Sequence, residues 1–118
     1  MKLLIADDNA GMREVLRQLL ANVATEMREC ADGDEAIQAF GEFNPDWTIM
    51  DLSMPRLDGL AATRQILASH GGARIIVLTE HQGVEYEQAA LEAGAWKFVS
   101  KSNLSQLIQS LSVKPTTT

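Results

Sequence analysis

Five strand-like runs, four of them mainly apolar, alternate with five helix-like segments and predict an α/β chain whose core is a doubly wound, five-stranded parallel sheet of order 2-1-3-4-5. Apart from the second, the runs are nearly continuous in apolar and β-prone residues, as strands covered on both faces must be. The segments between them are long enough for crossover helices. At 118 residues the chain has room for one domain and one such sheet.

Leu3-Leu4-Ile5-Ala6 is the first strand, and it stops abruptly at Asp7-Asp8-Asn9. Met12, Val15, Leu16, Leu19, Leu20 and Val23 then recur at helical spacing, predicting an amphipathic helix of about four turns. A weaker strand spans Glu26 to Cys30. Asp32-Gly33-Asp34-Glu35 has the form of a capping box and opens a second helix through Ala36, Ile37, Ala39 and Phe40. Asn44-Pro45-Asp46 breaks that helix. The third strand runs from Trp47 and ends on a lone carboxylate, Asp51, followed by a loop marked by Met54-Pro55 and Asp58-Gly59.

A third helix spans about Leu60 to His70 and ends at Gly71-Gly72. Arg74 to Leu78 is the most β-branched run and ends at Thr79. Val84 to Ala93 forms a weakly amphipathic, loosely held helix with Gly94 at its C-terminus. The fifth strand, Trp96 to Ser100, ends at Lys101, and Leu104, Leu107, Ile108 and Leu111 form the stripe of a last helix. The tail from Val113 to Thr118 is polar and expected to fray.

A net charge of -6 works against binding a phosphate backbone, so direct nucleic-acid binding is not expected. The single cysteine, Cys30, rules out an internal disulfide, and neither a leader nor a long apolar run is evident near the N-terminus. A cytoplasmic protein without membrane association is expected, with proteins or cations as partners. His70 and His81 lack partners at metal-ligand spacing and are expected to face solvent, while Met27, Met50 and Met54 are expected to pack.

The sheet order puts the first and third strands side by side, so Asp7, Asp8 and Asp51 converge at the switch point of the fold. Three carboxylates there repel one another and, unless some are protonated, need a cation. All-oxygen ligation favours Mg²⁺, an ion commonly shared between carboxylates and phosphate. Asp51 is the candidate covalent nucleophile for phosphoryl transfer, although an Asp in this position also opens turns. Lys101 and Thr79, at two further strand ends, offer an ammonium and a hydroxyl to phosphoryl oxygens, though each also suits an ordinary surface or strand-end position.

From about Lys2 to Val113 the chain resembles the receiver domain of two-component response regulators, a flavodoxin-like (βα)5 fold. The matching stretches are Asp7-Asp8-Asn9, Asp51-Leu52-Ser53-Met54-Pro55-Arg56-Leu57-Asp58-Gly59, Val77-Leu78-Thr79, Ala93-Gly94-Ala95, and Phe98 three residues before Lys101. The resemblance implies a receiver domain over 1–113 and a tail or linker over 114–118. It implies that Asp51 accepts a phosphoryl group from a sensor histidine kinase or phosphotransfer protein. Asp8, Asp51, Asp7 through water and the Ser53 backbone carbonyl would hold Mg²⁺, and Thr79 and Lys101 would bind the phosphoryl oxygens. Inward movement of Thr79 would let Phe98 rotate, remodelling the face of helix 4, strand 5 and helix 5 for dimerisation or a downstream protein. Such a domain is a regulatory phosphoacceptor, catalysing only its own phosphorylation and slow dephosphorylation.

Several residues depart from the family pattern. Glu80 stands where a small residue is usual and should repel an incoming anion. Ser53 and His81 occupy positions that tune dephosphorylation in the family, in a direction the residue types leave open. Ser102 follows Lys101 where many receivers have Pro; a cis bond there would cost about 3 kcal/mol, so a different turn is expected. Phe98 lacks the hydroxyl of a Tyr, leaving packing as its means of switching.

Three rival readings share the fold. A haloacid dehalogenase-type phosphatase needs a second Asp where Ser53 stands, and a flavodoxin-type flavin site would be repelled by Asp7-Asp8. The third is a receiver-like interaction module that works without phosphorylation. The wording around Asp51 and the Lys101-Ser102 pair resemble receivers that precede a LuxR-type helix-turn-helix.

Overall fold

A computed structural model describes residues 1–81 and 83–112. Strands β1 (Lys2–Ala6), β2 (Glu26–Cys30), β3 (Trp47–Asp51), β4 (Ile75–Thr79) and β5 (Lys97–Ser100) alternate with helices α1 (Ala10–Leu19), α2 (Gly33–Phe43), α3 (Gly59–Ser69), α4 (Val84–Glu92) and α5 (Leu104–Ser112). All strand pairs are parallel and the order is β2-β1-β3-β4-β5, as the sequence predicts. Residues 113–118, expected to fray, lie outside the described residues.

Strand side chains alternate between two covered faces. Leu3, Ile5, Trp47, Ile49, Ile76, Leu78 and Val99 pack with Leu16 and Leu20 from the α1 segment and with Leu107 and Leu111 of α5. Leu4, Ala6, Met50 and Ile75 pack on the opposite side with Ala36, Ala39 and Phe40 of α2 and Ala62 and Ile66 of α3. Each large apolar side chain so buried contributes about 1.5–3 kcal/mol relative to exposure, which holds the strand ends in fixed positions. Met50 is fully buried, and Met27 and Met54 pack against these cores.

Local signals set most element boundaries. Asp32 Oδ1 accepts the N–H of Glu35 at 2.9 Å, while Glu35 Oε1 reaches back to the N–H of Ala31 at 2.7 Å, one residue short of the usual box partner. Helix α1 is shorter than its apolar period: Leu20 caps it, and Val23 packs on the core from the following turn. Strand β5 begins at Lys97 rather than Trp96, whose ring is half-exposed and stands edge-on to Trp47 at 5.8 Å. Gly94, with φ of 103°, takes the left-handed position after α4. The Lys101-Ser102 bond is trans, in line with the expected departure from the Pro-containing turn.

Two buried hydroxyls, Thr48 Oγ1 and Thr63 Oγ1, have no hydrogen-bond partner among the described residues. Replacing Thr48 with Val removes an unsatisfied polar group at nearly constant volume. The urea midpoint should rise with an unchanged slope, by about 1 kcal/mol of stability. Burial, reinforced by the Glu35 and Asp32 carboxylates, pushes the Cys30 thiol up to about 12. The thiolate is the reactive form, so alkylation at pH near 8 should await unfolding and accelerate sharply in urea.

Candidate functional site

Strand alternation decides which side chains meet at the sheet edge. Ile5, Ile49 and Val99 share one core face, so Asp7, Asp51 and Lys101, each two residues further on, emerge on that side. Asp7 and Asp51 are 2% and 5% exposed, and the Lys101 side chain is largely covered. Lys101 Nζ lies 2.9 Å from Asp7 Oδ2 and 3.5 Å from Asp51 Oδ1. Asp7 Oδ1 also accepts the N–H of Asn9 at 2.9 Å, and its carbonyl accepts Arg13 Nη1 at 2.6 Å. Asp8 is exposed, and one carboxylate oxygen from each of Asp7, Asp8 and Asp51 falls within a 4.8 Å group.

The loops are shaped to bring these groups together. Asn9 ends the acidic turn by capping α1, its Oδ1 accepting the N–H of Met12 at 3.0 Å. After β3, Asp58 caps α3 through the N–H of Ala61 at 2.9 Å. A Cβ on Gly59 would lie 1.9 Å from the Asp51 carbonyl oxygen, so only glycine lets α3 begin directly beneath the carboxylate. Arg56, at φ of 64°, makes the left-handed bend of this loop.

Asp8, Asn9, Asp51, Ser53, Thr79, Glu80, His81 and Lys101 line one cavity of about 200 Å³. The structure therefore brings together every residue singled out for metal or phosphoryl contact, together with Glu80 and His81. Phe98 stands apart, half-buried against Leu52, Val77, Ala90 and Ala95. His81 is exposed, as expected, yet it is engaged on several sides: Nε2 lies 2.7 Å from Ser53 Oγ, its ring stacks on Tyr86, and its N–H donates to Thr79 Oγ1. His70 is also exposed, with its ring 4.9 Å from that of Phe40. Arg13, Asn9 and Tyr86 escaped sequence reasoning as site neighbours; only the N-cap character of Asn9 carried a local signal.

Burial, reinforced by the Asp7 charge, raises the Asp51 carboxyl to about 6, while Lys101 and the Ser53 N–H pull it down. Burial also works against the Lys101 ammonium, but its bond to Asp7 and the charge of Asp51 outweigh this and hold it above its ordinary range. The donor set is all oxygen and anionic, which fits a hard divalent cation.

The chain matches the response regulator receiver domain family over residues 3–112. It is 36% identical over 101 residues to the response regulator MprA of Mycobacterium avium, covering 86% of this chain and 44% of that protein. It thus spans less than half the length of these MprA relatives. It is 35% identical over 100 residues to the chemotaxis protein CheY of Halobacterium salinarum, covering 85% and 83% of the two chains. A LuxR-family two-component response regulator from Aurantimonas superposes with a TM-score of 0.84 at 35% identity, over 93% of this chain and 83% of that one. CheY in a CheX-CheY-BeF3-Mg complex from Borrelia burgdorferi superposes with a TM-score of 0.83 at 25% identity, over 97% and 90%.

The raised Asp51 carboxyl has a consequence for stability. A folded-state value above the ordinary 3.8 means that the folded chain holds this proton more tightly than the unfolded chain. The stability from this group is complete below 3.8 and is lost as pH rises through about 6. In the presence of a chelator, Asp51→Asn should therefore be more stable than the unaltered chain at pH near 7.5, by about 2 kcal/mol. The gap should close as the pH approaches 4 in urea titrations.

Proposed function

Since the chain belongs to the response regulator receiver domain family, we propose that it receives a phosphoryl group on Asp51 from a sensor histidine kinase or phosphotransfer protein. The observation that carries this reading is the convergence of Asp7, Asp8 and Asp51 around a cavity that Thr79 and Lys101 also border. In the transfer, an Asp51 carboxylate oxygen bonds to phosphorus while the bond from phosphorus to the donor imidazole nitrogen breaks, its electron pair returning to that nitrogen. Lys101 and the Thr79 hydroxyl hold the transferred anionic oxygens by charge-assisted hydrogen bonds.

The carboxylate cluster fits Mg²⁺; by the family resemblance Asp8, Asp51 and the Ser53 backbone carbonyl would hold the ion, with Asp7 acting through water. When bound, the ion neutralises charge on the phosphoryl oxygens. The Borrelia CheY complex, which holds BeF3 and Mg, supports this assignment.

Phosphorylation is then read by Thr79, and Phe98 repacks within the cluster of Leu52, Val77, Ala90 and Ala95 to alter the α4, β5 and α5 face. That face serves a phosphorylation-dependent homodimer or a downstream protein. The domain is regulatory, works in the cytoplasm and does not itself bind nucleic acid, in keeping with its net charge of -6. No described helix is long and apolar enough to cross a membrane. Domain bounds of 1–113, with 114–118 as a linker or tail, belong to the same reading.

Incubation with Mg²⁺ and acetyl phosphate should add one phosphoryl group by intact mass, and Asp51→Asn or a chelator should abolish it. Absence of the adduct in the unaltered chain would favour a phosphorylation-independent interaction module, the reading to which an exposed Glu80 at the cavity lends weight. Glu80→Ala should speed adduct formation by about 2- to 10-fold, since a carboxylate beside an anion-binding site lowers the local anion concentration. The gain should shrink at high salt, and an unchanged rate would show that Glu80 has no part in gating.

A further inference from the structure

Thr79 is fully buried at the end of β4, and its Oγ1 accepts the backbone N–H of His81 at 3.1 Å. That bond ties the hydroxyl to the segment leading into α4. His81 is held at two further points. Its Nε2 lies 2.7 Å from Ser53 Oγ in the loop after β3, and its ring stacks on that of Tyr86 at 4.8 Å and 24° in the first turn of α4. One residue therefore touches the hydroxyl of the site, the loop that follows Asp51 and a helix. Its side chain is exposed, so its position is set by these contacts and not by burial in a core.

Helix α4 is built to respond. It buries only Ala90 among its residues, and it starts from Gly83, at φ of 126°, without a side-chain cap. Helices α1, α2 and α3 each begin on an Asn or Asp whose side chain bonds a first-turn N–H, a contact worth about 1 kcal/mol. The start of α4 lacks that restraint, and the His81–Tyr86 stack stands beside it.

We infer that His81 is a positioning residue that couples Thr79 to α4 through Tyr86, a route parallel to the packing change at Phe98; the inference rests on the phosphoacceptor reading above. A phosphoryl group on Asp51 draws the Thr79 hydroxyl by a charge-assisted bond, about twice as strong as a neutral one. Oγ1 then either carries the His81 N–H with it or releases it. In both cases the His81 ring re-seats between Ser53 and Tyr86, and the first turn of α4 follows. His81 and Tyr86 also form part of the wall of an open groove of about 650 Å³ with Leu52, Met54, Pro55 and Leu60, so the same movement reshapes a surface beside the site.

Amide NMR spectra of the chain with and without Mg²⁺ and BeF3 test this. In the unaltered chain, signals of Thr79 and Lys101 and of Tyr86 to Ala90 should all shift. Tyr86→Ala should keep the shifts at Thr79 and Lys101 while those in α4 fall by about half or more, the scale of effect when one link between two sites is cut. Tyr86→Phe retains the ring and should restore the α4 response, and His81→Ala should weaken α4 shifts more than site shifts. Full α4 shifts in Tyr86→Ala and His81→Ala, with the site responding, would overturn the coupling and leave the phosphoacceptor reading intact. Lack of any site response in the unaltered chain would overturn both.

Discussion

Asp7 and Asp51 are held almost out of water at the ends of neighbouring strands, and the Lys101 ammonium reaches both. Two like charges in such a place are unfavourable to folding, and a single ammonium offsets that cost only in part, which is why the Asp51 carboxyl stays high. The chain tolerates the arrangement because the sheet beneath it is packed on both faces by large buried aliphatic side chains. The cores stabilise; the edge stores electrostatic stress.

The same constraint organises the loops. Strands β1 and β2 lead within three residues, and β3 after a seven-residue step, to side-chain helix caps at Asn9, Asp32 and Asp58. These entries are fixed by local hydrogen bonds, and they present the carboxylates from a rigid frame. The segment after β4 differs, since α4 starts at an uncapped glycine and buries little. The acidic part of the site is therefore preorganised, whereas the part that contains Thr79 adjoins a helix that starts without a side-chain cap. The switch proposed above needs both properties, a fixed place for the charge to arrive and a weakly held element to register it.

The rival chemistries separate on single residues. Ser53 stands where an Asp-nucleophile phosphatase would need its general acid, and its hydroxyl is bonded to His81 rather than aimed as a carboxyl would be. The Asp7-Asp8 pair at the first strand end gives a cation the advantage over the phosphate of a flavin. Membership of the receiver domain family and the all-oxygen cluster point the same way.

Much of this was legible in the residue order. Four apolar runs and one weaker one marked the strands, turn and cap residues marked the starts of α2 and α3, and the rule that ligands gather beyond strand C-termini singled out Asp7, Asp8, Asp51, Thr79 and Lys101. These signals are local, set by backbone preference and by the two-residue alternation of a strand, so the sequence by itself determines them. The length of α1 was overestimated because Val23 keeps the apolar period after the helix has ended; its place on the core is set by the turn, not by helical geometry. Tertiary structure alone decided how deeply Asp7 and Asp51 are buried, that Lys101 bridges them, and that His81 joins Ser53, Thr79 and Tyr86. Those contacts join residues from separate loops, and their distances follow from how five packed strands end in space, a quantity no single segment encodes.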